Sequence, residues 1–84
     1  MDKQDFELLI EAGAIAHIIL YSASSKFAGE PKGWEVIAYR ENWTNGKTLE
    51  TARGETRYFQ SLDTAVGFVR GCGWKPQIVV DGGS

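Results

Sequence analysis

The side chains able to do chemistry in this sequence are few: one histidine, His17, and one cysteine, Cys72. A zinc site draws on three or four nitrogen and sulfur ligands, so this pair falls short of one, and no Asp and Glu cluster follows a calcium-loop spacing. Cys72 comes just after the end of a predicted helix. The negative end of the helix dipole opposes a thiolate there, so Cys72 reads as an inert thiol near the core. His17 is expected on a central strand, as a buried or half-buried structural imidazole rather than a general base. Ser22, Ser24 and Ser25 follow it, but a triad would require His17 to turn toward them and to find an orienting carboxylate. Glu30, Glu35, Glu41, Glu50 and Glu55 read as solvated charges rather than as a pair for acid and base work. The glycines form neither a phosphate loop followed by Lys-Ser or Lys-Thr nor a dinucleotide fingerprint after a strand. The residues therefore predict no enzyme, no cofactor and no metal.

Hydrophobic spacing predicts the elements that carry these side chains. Asp2 caps a helix over residues 3–12, with Phe6, Leu9 and Ile10 sharing one face and Gly13 as the stop. Residues 14–22 read as a strand with Ile15, Ile19 and Tyr21 on one face and Ile18 and Leu20 on the other, which places it in the middle of a sheet. Residues 23–33, rich in Ser, Gly and Pro, read as a loop longer than the usual hairpin connection. Residues 33–44 and 47–53 then flank Asn45-Gly46, a two-residue hairpin signal because both central residues must tolerate positive φ. Gly54 breaks the run, and residues 55–59 read as a further short strand or as the third strand continued beyond a bulge.

Ser61 caps a second helix over residues 62–70, where Leu62, Ala65, Val66 and Val69 follow helical spacing before Gly71 and Gly73. Residues 77–80 form a last strand before a flexible tail at 82–84. The order α-β-β-β-(β)-α-β predicts one α+β domain over residues 1–84. Its mainly antiparallel sheet, of three to five strands, is packed by two helices on one face.

Charge narrows the partners. Nine Lys and Arg against eleven Asp and Glu give a net charge of -2, which argues against an affinity built on neutralising many phosphates. The first eleven residues hold Asp2, Asp5, Glu7 and Glu11 against Lys3, so the remainder is close to neutral. That acidic start lacks the positive and apolar regions of a signal peptide, and no stretch approaches the ~20 apolar residues of a membrane span. A single cysteine excludes an internal disulfide. A cytoplasmic protein without membrane partners is expected.

One surface stands out. A two-residue turn at Asn45-Gly46 would pair Thr44 with Lys47, Trp43 with Thr48, Glu41 with Glu50 and Tyr39 with Ala52. Trp34, Val36, Ala38 and Leu49 then share the core face. Ile37, Tyr39 and Trp43 share the other with Glu35, Glu41 and Glu50, an aromatic stripe rimmed by acid of the kind enriched at protein interfaces. That stripe is either exposed or covered by the first helix or the long loop as a second small core. Arg40, Arg53 and Arg57 with Lys47 form the alternative feature, a short basic edge able to touch phosphates beside Tyr58.

Four stretches carry a resemblance to a known family: Ile10-Glu11-Ala12-Gly13-Ala14-Ile15, Gly33-Trp34, Arg57-Tyr58-Phe59-Gln60-Ser61-Leu62-Asp63-Thr64, and Ile78-Val79-Val80-Asp81. Their order resembles that of small partition-associated proteins encoded near partition or replication genes on bacterial plasmids and integrative elements. Segments 26–32, 42–47 and 71–74 depart from that pattern. The resemblance implies a mobile-element setting and an accessory role, with no catalytic residues to carry over. Three expectations follow: an adaptor binding a protein through Ile37, Tyr39, Trp43, Glu41 and Glu50; a DNA-binding accessory using Arg40, Lys47, Arg53 and Arg57; or, by analogy with other compact acidic proteins of mobile elements, an inhibitor of a host defence complex. Homodimerisation through an exposed hairpin edge is also expected of so small a domain.

Overall fold

Both helices begin where their caps predict. In the computed structural model, which describes residues 1–24, 31–41 and 45–81, α1 spans Lys3–Glu11 and the Asp2 carboxylate accepts from the Asp5 N–H at 2.9 Å. The second helix, α2 (Leu62–Gly71), starts behind Ser61, whose hydroxyl accepts from the Thr64 N–H at 3.1 Å. Each cap satisfies a backbone donor that the first helical turn leaves without a partner.

Between the helices run β1 (His17–Ser24), β2 (Pro31–Tyr39) and β3 (Lys47–Thr48), and β4 (Ile78–Asp81) follows α2. The sheet order is β3-β2-β1-β4, so β1 is central as expected. β1 pairs antiparallel with β2, from His17 opposite Tyr39 to Ser24 opposite Pro31, and parallel with β4, from Ile18 opposite Ile78 to Tyr21 opposite Asp81. The architecture is the predicted α+β class, two helices on a mostly antiparallel four-stranded sheet.

Two expectations need correction. The 23–33 loop is shorter than its composition implied, because the ladder continues to Ser24 on β1 and resumes at Pro31 on β2. A proline is tolerated at the first position of a strand, where its missing N–H matters least. Residues 25–30 of that loop, the 42–44 segment with Trp43 and the 82–84 tail lie outside the described residues.

The second correction concerns the register of β2 on β3: Thr48 faces Ile37 and Lys47 faces Ala38, where a tight Asn45-Gly46 turn would have set Trp43 and Thr44 opposite them. Neither Asn45 nor Gly46 has the positive φ that a type I′ turn requires. The tight reversal falls later, at Thr51 to Gly54. There the Gly54 N–H donates to the Thr51 carbonyl at 2.9 Å, and the Thr51 N–H to that of Glu55 at 2.7 Å. Gly54 takes φ 85°, as a three-residue hairpin loop demands. Residues 55–59 form no continuous strand; single bridges join Glu50 to Thr56 and Trp34 to Phe59.

One core lies between the helices and a single face of the sheet. Phe6 of α1 and Ala65 and Val69 of α2 cluster with Ile18 and Leu20 of β1, Val36 and Ala38 of β2, and Leu49. Trp34, Leu62 and Ile78 pack half-buried against it. The predicted core face survives the register correction because the slip is six residues, an even number, and alternate residues keep their side of the sheet. Among the described residues no helix is long and apolar enough to cross a membrane.

Candidate functional site

Strand alternation places His17, Ile19 and Tyr21 of β1 on the face away from the helices, beside Tyr39, Ile37 and Glu35 of β2. Thr48 and Val79 extend this face on the flanking strands. In β1 and β2 the two sides of the sheet differ in burial: Ile18, Leu20, Val36 and Ala38 are 0% exposed, whereas Tyr21 is 39% exposed. Ile19, Glu35, Ile37 and Tyr39 are half-buried, and His17 is exposed. The apolar and aromatic side chains of this face therefore lie on the side that the helices leave open.

His17 departs from the expectation of a buried structural imidazole. Its ring stacks on that of its cross-strand partner Tyr39, with centroids 4.8 Å apart and planes 13° from parallel. Ile15, assigned to the same face by parity, is instead 7% exposed and part of the core, since it precedes the strand and escapes its alternation. The segment at Gly46 crosses the far side of Ile37 and Tyr39 so closely that a β-carbon on Gly46 would sit 2.7 Å from the Tyr39 ring and against Ile37 Cγ2. Among the described residues, this crossing supplies cover for these two side chains.

Of the residues predicted for a protein contact, Ile37 and Tyr39 meet on this face. Glu41 is exposed just past the end of β2, and Trp43 lies outside the described residues. Glu50 is elsewhere. Its carboxylate pairs with the Met1 amino group and its N–H donates to the Met1 carbonyl at 2.7 Å, which ties the start of α1 to the hairpin. Glu50 left the stripe because the observed register carries the chain away from β2 after Leu49. Sequence parity already grouped Ile19 with Tyr21. The contributions of His17 and Val79 required knowing which neighbours β1 takes.

Three of the four basic residues border different clefts. Arg40 follows β2 and lines an open cleft of about 570 Å³ with residues 13–16 and Glu41. Lys47 borders a shallow apolar groove with Leu8 and Leu9 of α1. Arg53 is exposed in the 51–54 turn, its N–H directed to the Thr51 hydroxyl at 3.3 Å. Arg57 is half-buried with its guanidinium over the rings of Phe59 (5.1 Å) and Phe68 (4.6 Å), a cation–π arrangement on the helix side. The cleft beside it is lined by charges of both signs, Asp2 and Glu50 with Lys3 and Arg57.

The groups able to do chemistry stay apart. Ser22 lies five positions along β1 from His17, roughly 17 Å of strand and on the opposite face, beyond proton-transfer reach. The Ser24 side chain and Ser25 lie outside the described residues. Cys72 caps the C-terminus of α2, half-buried. Burial pushes its thiol above the ordinary range, Glu7 adds to that rise, and Lys3 and Arg57 work against it. Among the described residues no three His, Cys, Asp or Glu side chains converge where a metal ion could sit. The chain matches no protein-family model, no curated protein and no solved structure.

Proposed function

We infer that the protein is a non-enzymatic accessory that binds a protein partner through the open face of its sheet. The observation that carries this reading is the difference between the two sheet faces. Both helices pack on one side, while His17, Ile19, Tyr21, Ile37 and Tyr39 line the other. A contiguous apolar and aromatic surface on a folded domain is the usual mark of a protein contact. Glu35 and Glu41 stand at its opposite ends, so the fitting partner presents an apolar centre with a Lys and Arg rim. DNA binding through Arg40, Lys47, Arg53 and Arg57 is the second reading, and the net charge of -2 favours a protein partner over it. The mobile-element setting, in plasmid partition or replication, rests on the sequence resemblance alone; inhibition of a host defence complex would be one form that such binding takes.

The test is affinity capture from nuclease-treated cells that carry the parent element, comparing wild type with a Tyr21→Ala/Tyr39→Ala variant whose fold is verified by circular dichroism. A protein retained by the wild type and lost with the variant, and still retained when repurified and mixed with it alone, supports the reading. Equal retention by both proteins, or retention that disappears with nuclease, overturns it.

A further inference from the structure

We propose that the outer edge of β4 pairs with β4 of a second copy, joining two sheets into one of eight strands. β4 ends the sheet and has β1 as its only strand neighbour among the described residues. Val79 and Val80 point to opposite faces, yet they are 45% and 46% exposed, so among the described residues nothing covers either side of this strand. An edge strand is ordinarily guarded by a proline, a lysine, a bulge or a covering element. Residues 78–81 contain no proline or lysine, and their ladder to β1 runs without irregularity. The opposite edge, β3, is only two residues long.

The occupant follows from geometry and charge. Strands related by a two-fold axis perpendicular to the sheet run antiparallel and keep the helices on one side, so residues facing each other must share parity. Centring the axis on Val79 sets Val79 against its own counterpart on the open face. Ile78 then meets Val80 of the second copy on the core face, and Gln77 meets its Asp81. No carboxylate faces another in this register. Moving the axis to Val80 would oppose Val79 and Asp81, and moving it to Ile78 would oppose Val80 and Pro76, which lacks an N–H to donate. The sequence of the edge therefore selects one self-complementary register. The paired strand is short against the ~800 Å² per partner of a stable interface, so association is expected at concentrations on the order of tens of micromolar or above.

Sedimentation equilibrium of the full chain from about 1 to 500 µM reads this directly. The weight-average mass should climb from 9.3 kDa toward twice that value. Val79→Lys, which sets two ammonium groups face to face, should weaken association by about tenfold or more. Leu8→Lys, the same charge change at an exposed residue of α1, should leave it unchanged. In a Cys72→Ser background, Val79→Cys should oxidise to a cross-linked dimer, whereas Val80→Cys, facing Ile78, should not. A wild type that stays monomeric throughout, a dimer indifferent to Val79→Lys, or cross-linking that favours position 80 would each overturn the proposal. None of these outcomes depends on the protein partner inferred above.

Discussion

Gly46 illustrates how much one missing methyl group can decide. Its backbone presses on Ile37 and Tyr39, and an added β-carbon would meet the Tyr39 ring at 2.7 Å. Neither a cross-strand aromatic nor a β-branched side chain can give way cheaply, because Tyr39 is already stacked on His17. Gly46→Ala should therefore cost about 1–3 kcal/mol, the range for overpacking. Gly67 makes the opposite case: it lies exposed inside α2, with nothing within 4 Å of an added methyl. Gly67→Ala should raise stability by up to about 1 kcal/mol, since alanine costs less backbone entropy in a helix. Urea midpoints of the two variants check both signs at once, and a Gly46→Ala protein that unfolds at the wild-type midpoint would remove Gly46 from the open face. The Asn45-Gly46 pair looks in sequence like a turn that needs glycine for its φ, whereas the fold uses that glycine for its lack of a side chain.

At the level of elements, the helices were legible because their signals are local. Asp2 and Ser61 cap, the apolar residues repeat at helical spacing, and no distant partner is required to place either boundary within a residue or two. The register of β3 and the pairing of β4 depended on contacts far along the chain, which spacing alone does not encode. The candidate face was half legible for the same reason: parity found Ile37 and Tyr39, but the neighbours that complete the face come from β1 and β4. The connection from α2 to β4 is held by Arg70, whose Nη1 donates to the carbonyls of Trp74 at 3.0 Å and Pro76 at 2.6 Å, while Trp74 Nε1 donates to the Gln77 carbonyl at 3.3 Å. Arg70→Ala hands two carbonyls to water and should cost about 1 kcal/mol, with the loss concentrated in β4. Hydrogen exchange should quicken at Ile78 to Val80 and stay slow in α1. Arg70→Lys should restore part of the loss, because one nitrogen, Nη1, meets both acceptors and a lysine ammonium carries three N–H donors on a single nitrogen. If β4 exchange is unchanged in Arg70→Ala, the clamp does not set the position of that strand.

The whole molecule depends on one core, and Phe6 tests how far that dependence extends. Its side chain is 0% exposed, its ring stacks with Phe68 of α2 at 6.4 Å, and Phe68 in turn meets Phe59 at 5.1 Å. Phe59 is bridged to Trp34 of β2. A ring removed from α1 thus leaves a void bordered by both helices and linked through Phe59 to the sheet. Phe→Ala substitutions in such positions cost about 3–5 kcal/mol, against a total of roughly 4–13 kcal/mol expected for a domain of this length. Phe6→Ala should therefore lose a large part of the stability and still unfold in one step. Far-UV circular dichroism, which follows both helices, and tryptophan emission, which follows Trp34 and the buried Trp74, should give coincident curves with a common lowered midpoint. The hydrogen bond from the Glu50 N–H to the Met1 carbonyl strengthens this expectation, since it fastens the start of α1 to the hairpin rather than leaving the helix to dock on its own. An early loss of helical signal while tryptophan emission holds to the wild-type midpoint would mean that α1 folds as a separable unit. In that event the open sheet face would have to be presented by β1 to β4 and α2 without the support of α1.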